Sequence, residues 1–261
     1  MLPAIALLIL STRHCPQSKS AKRENAMKKQ LAELVERLKT AAGSNLDSLV
    51  LYGSAAGDDF HESYSDVNLL CLLHDSGGAA LKQLSPVIEW WSKKLHHRRP
   101  LCMTTEELQT SADVFAIETL DLKHKHRILA GRDFLAEIEV PLNLHRVQLE
   151  HELRTLLLKL RQHYLMAPGE EELKKALAKS ISTVVTLLRH ALIAVDHHVP
   201  AQKREVIAEA GTALGIEVGA FQQALDLREG QAGLEIEPLY QRYMEALAAV
   251  THYVDQIPPK A

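Results

Sequence analysis

A glycine and a serine set directly after a short apolar run, Leu49-Val50-Leu51-Tyr52 followed by Gly53-Ser54, form an arrangement suited to seating a phosphate. Glycine has no Cβ, so the backbone can come close to a ligand. Ser54 adds a hydroxyl and an amide at the start of the next segment, where N–H donors favour an anion. Further on, Asp66 and Asn68 stand two apart in a second apolar run that ends at Leu73. On a strand that spacing turns both side chains to one face. Gly53 and Ser54 are therefore a candidate phosphate seat, with Asp66 and Asn68 on one face of the second strand. A carboxylate there could hold Mg2+ against a triphosphate, which is hard-cation, oxygen-ligand chemistry. Asn68 offers a carbonyl oxygen but no charge, so it cannot help draw two such ions together as a second carboxylate would.

The elements that would carry these residues follow from periodicity. Leu31, Leu34, Val35 and Leu38 recur at helical spacing, and Gly43-Ser44-Asn45 stops that helix before the first strand. Leu49 to Tyr52 is unalternated, as in a strand covered on both faces. The second strand is expected from about Asp66 to Leu73, then a helix over Ala79 to Leu95 and a third strand over Pro100 to Thr104. Val114 to Leu122 fits strand or helix equally. From Pro141 onward the period is helical throughout, with helices over Leu142 to Leu165, Glu171 to Val195, Gln202 to Leu214, Val218 to Leu227 and Pro238 to Val254. The expected fold is a mixed, helix-flanked sheet in residues 27–140 and an all-α bundle in 141–261.

Composition narrows the function classes. The 261 residues are 46% hydrophobic and 24% charged with a formal charge of −3, which argues against a general nucleic-acid binder. Cys15, Cys71 and Cys102 are odd in number and widely spaced, so neither a disulfide framework nor a zinc site is expected, and a reducing cytoplasm fits. The apolar opening, MLPAIALLIL, is too short to span a bilayer and lacks the basic flank of a secretory signal. Residues 1–26 read as a poorly structured extension, with Met27 as the expected native start.

Other polar groups carry simpler readings. Lys123-His124-Lys125-His126-Arg127 could face a triphosphate, though a solvated basic turn explains it more simply. Trp91 falls on a helix's buried side, leaving Trp90 free to stack. Arg189-His190 and Arg161-His163 lack the spacing to share a site on one helix face. The bundle is then a substrate-side wall or an oligomer surface.

The order helix, strand, Gly-Ser, polar segment and Ser65-Asp66 in a second strand resembles the nucleotidyltransferase superfamily, the fold shared with DNA polymerase beta. LYGSAAGDDFHESYSDVNLL resembles in particular the aminoglycoside nucleotidyltransferases and their bacterial relatives, which carry a helical C-terminal domain. The resemblance implies that Gly53 and Ser54 grip the triphosphate of ATP or another nucleotide. It implies that Asp66 and Asn68 occupy the two metal positions for Mg2+, with Asp66 as the catalytic group, and that a nucleoside monophosphate passes to a hydroxyl of a small molecule or protein. The family's third carboxylate is expected on the Pro100 to Thr104 strand, which holds no acid; Glu106, Glu107, Glu118 and Asp121 are the nearest. The alternative is a catalytically inactive protein of this fold that binds or regulates.

Overall fold

A computed structural model describes residues 17–56, 67–167 and 169–258, with the backbone alone for 17–24 and Ser54. The chain divides into two units. One comprises residues up to 51, 67–104 and 127–132; the other comprises 52–66, 105–126 and 133 onward.

The first unit is built on a four-stranded sheet of order β3-β2-β1-β4. Its strands are β1 (Leu46–Tyr52), β2 (Asn68–Leu73), β3 (Leu101–Thr104) and β4 (His126–Gly131). Leu49, Val50 and Leu51 in β1 and Leu69 through Leu73 in β2 are all buried, the mark of strands covered on both faces. Helix α1 (Gln17–Ala42) buries Leu31, Leu34, Val35 and Leu38, and packs on α2 (Gly78–Glu89). It starts upstream of Met27 rather than at it. The crossover through α2 makes β2 and β3 parallel, with Cys71 opposite Cys102. The His74 amide donates to the Asn45 carbonyl at 3.0 Å, so the end of β2 lies beside the start of β1 and those two strands run antiparallel.

Strand β4 was not expected from the sequence. It is fastened to β1 by the Ser48 hydroxyl, which is buried and donates to the Ala130 carbonyl at 3.1 Å. Gly131 has φ +80°, and a Cβ placed on it would stand 1.9 Å from the Asp47 carbonyl oxygen.

After α2 the helix widens by one π turn, Trp90–Lys94. Trp91 is buried as expected, with its indole N–H donating to the Arg98 carbonyl at 2.9 Å. Trp90 instead receives the Arg37 guanidinium over its ring at 4.4 Å. His97 stacks on Trp91 at 4.1 Å and bonds Gln30 at 3.1 Å. Burial, and then the neighbouring His96, hold its pKa below the ordinary 6.5. A depressed folded-state value means that the stability His97 confers is complete above 6.5 and is lost as pH falls through the lowered value. An NMR titration of its ring carbons should accordingly show a midpoint below 6.5.

The second unit carries α3 (Thr105–Thr110), α4 (Ala116–His124), α5 (His145–Met166), α6 (Glu170–Ala194), α7 (Lys203–Leu214), α8 (Gly219–Arg228) and α9 (Ile236–Asp255). The ambiguous 114–122 segment is thus mostly helical. Helix α6 is long and apolar enough to cross a membrane, and packs against α5, α7, α8 and α9. Its apolar character is that of a bundle's central helix. Two buried tyrosines find partners there: the Tyr240 hydroxyl donates to the Leu160 carbonyl at 2.9 Å, and the Tyr243 hydroxyl pairs with Ser180 at 3.0 Å. Burial pushes the Tyr240 phenol up to about 12. Together the two units make an α+β fold, a mixed sheet with flanking helices followed by an all-α C-terminal part.

Candidate functional site

Gly53 closes β1 in the left-handed region, φ +75°, and opens a single 3-10 turn, Gly53–Ala56. A side chain at that φ is strained, which gives a local reason for glycine at the corner. Its amide is already committed: it donates to the Lys125 carbonyl at 3.0 Å, where α4 gives way to β4. Any anion seated at this corner must therefore draw on the amides that follow. Asp66 lies outside the described residues, as does the Ser54 side chain. Asn68 is the first residue of β2 and half-buried.

Each acid considered as a third carboxylate has a definite place. Glu106 and Glu107 sit in the first turn of α3. Glu118 accepts from the Gln148 amide at 2.6 Å, and Gln148 in turn accepts the Ile117 backbone N–H at 3.1 Å. The Asp121 carboxylate accepts from Arg189 at 3.0 Å and from His190 at 3.3 Å. Strand β3 carries no acid. Among the described residues no three His, Cys, Asp or Glu side chains gather closely enough to hold a metal ion. A donor set of one carboxylate and one amide oxygen does not fit a protein-held pair of Mg2+ ions.

The basic segment 123–127 is not one turn. Lys123 and His124 finish α4, and its ammonium reaches the Ile138 carbonyl; His126 and Arg127 open β4. His126 bonds Asp133 at 3.2 Å. The Asp133 carboxyl, which burial alone would raise, is held below its ordinary value by that ring and by the Ala136 amide. An open cavity of about 870 Å³ in the helical unit, lined by Val195, Asp196, Ile216, His252, Tyr253 and others, shares no residue with these candidates.

Sequence reasoning missed one constellation. Asp121, Arg189, His190 and His145 come together from α4, α6 and α5, joined by hydrogen bonds of 3.0 to 3.3 Å. The available signal was an Arg-His pair inside the otherwise apolar run of α6, since charged groups inside a bundle need partners.

No protein-family model and no curated protein matches the chain. Among solved structures it is similar to the spectinomycin adenyltransferase AAD(9) of Enterococcus faecialis, a structure with ATP and spectinomycin. The likeness covers 88% of this chain and 99% of that one, at 14% identity and a TM-score of 0.53. With the sheet, the glycine corner and the helical C-terminal part already described, that likeness identifies the chain as having the nucleotidyltransferase fold.

Proposed function

We propose that this chain is a nucleotidyltransferase-like protein that binds a nucleoside triphosphate, ATP foremost, at the Gly53–Ser54 corner. Asp66 and Asn68 face the phosphates, and the group transferred is a nucleoside monophosphate, delivered to a hydroxyl of an acceptor. The observation that carries this reading is Gly53 itself. It ends a buried strand at φ +75° and is bonded to the carbonyl of Lys125, which caps α4, so it is a fixed corner that carries no Cβ of its own. The likeness to an enzyme whose structure holds ATP supports the same reading. Calorimetric titration with ATP in the presence of Mg2+ should give saturable binding that Gly53→Val weakens at least tenfold, on the order of 1.4 kcal/mol or more. Absence of binding by the wild type would overturn the proposal.

A second reading, binding without turnover, is favoured by one feature: β3 has no acid, while Glu118 and Asp121 are engaged by Gln148, Arg189 and His190. Labelled ATP with Mg2+ or Mn2+ and a panel of hydroxyl acceptors separates the two. Transfer by the unmodified protein supports the enzyme. Binding without transfer, with turnover appearing in Asn68→Asp, supports the second reading.

A further inference from the structure

We propose that Asp121, Arg189, His190 and His145 are positioning residues for the Gly53 corner, an inference that rests on reading that corner as a phosphate seat. His190 is fully buried and His145 is 2% exposed, a depth at which ionisable rings require fixed partners. A carboxylate only accepts, so the His190 Nε2 at 3.3 Å from Asp121 carries a proton. In the neutral ring its Nδ1 then accepts from the His145 Nε2 at 3.0 Å. Arg189 adds a second donor to the same Asp121 oxygen at 3.0 Å. One carboxylate thus ties α4 to α6, and through the ring pair to α5.

The path from this network to the corner is short, four residues of backbone from Asp121 to Lys125 and then one hydrogen bond to Gly53. The Lys125 amide donates to the Asp121 carbonyl at 3.2 Å, which caps α4, and the Lys125 carbonyl accepts the Gly53 amide at 3.0 Å. Gln148 secures the first turn of α4 through Ile117 and Glu118, and Lys123 reaches Ile138. Asp121 supplies the tie to α6, one turn before the carbonyl that holds Gly53. If α4 shifts on α6, the Gly53 bond is the one that loosens.

Substituting Asp121 leaves Arg189 without its counter-charge and can unfold the protein, so the decisive pair is at position 190. His190→Gln keeps a donor near the Nε2 position, whereas His190→Leu keeps the volume and removes the donor. Hydrogen exchange on the full chain, read on peptides spanning Gly53 and, as control, α9, is the first measurement; the Kd for ATP with Mg2+ is the second. In His190→Leu we expect at least tenfold faster exchange at Gly53, unchanged exchange in α9 and an ATP Kd raised about tenfold, with His190→Gln close to wild type in both. Unchanged exchange at Gly53 in a folded His190→Leu, or equal damage in both variants, overturns the proposal. If the exchange pattern appears but the wild type binds no ATP, the positioning stands and the phosphate seat does not.

Discussion

Replacing Gly131 with alanine is expected to destabilise the protein by about 2–6 kcal/mol, combining left-handed backbone strain with overpacking against a neighbour that cannot rotate away. The new methyl would meet the Asp47 carbonyl oxygen at 1.9 Å, and that oxygen belongs to the backbone of β1. Relief therefore requires β4 to move off β1, which also breaks the Ser48 bond to Ala130. Chemical denaturation should show a lower midpoint with an unchanged slope if the sheet survives, and a lower slope as well if β4 detaches. A stability equal to wild type would show that the two strands can part without cost.

Asp121→Leu should cost about 2–4 kcal/mol, because it strands a mostly buried guanidinium and removes the acceptor of a fully buried histidine. Arg189 is 18% exposed and Asp121 32%, so water screens part of the pair and the value belongs below that of a dry ion pair. The double variant Asp121→Leu with Arg189→Met should be more stable than the sum of the single changes implies, since it removes the charge left alone. Additivity within about 0.5 kcal/mol across the cycle would contradict a coupled pair.

The sequence made the fold readable where burial is continuous. Leu49 to Leu51 and Leu69 to Leu73 are apolar without alternation, and the helices from α5 onward keep a long period of buried leucines. Strand β4 escaped because HRILAG opens on two basic residues and its side chains are half-buried or exposed, so neither a continuous nor an alternating apolar pattern marks it. The segment ending in α4 was ambiguous because Val114 and Phe115 are exposed while Ala116 and Ile117 are buried, which blurs both periods. The Gly53 corner was legible from residue type alone. Its bond to Lys125 was not, nor was the Asp121 network, whose partners lie 68 and 69 residues away in the chain. Local patterns report which face is buried, and they carry no record of which distant polar group will meet it.

The passage of the chain between the two units governs how the protein can be made. Residues 127–132 leave the helical unit, add β4 to the sheet and return, and the Ser48 to Ala130 bond spans 82 positions. A ribosome that has released Thr104 has delivered three of the four strands, and β1 waits with one edge unpaired until α3 and α4 have also emerged. Neither unit can be excised as one continuous stretch of gene.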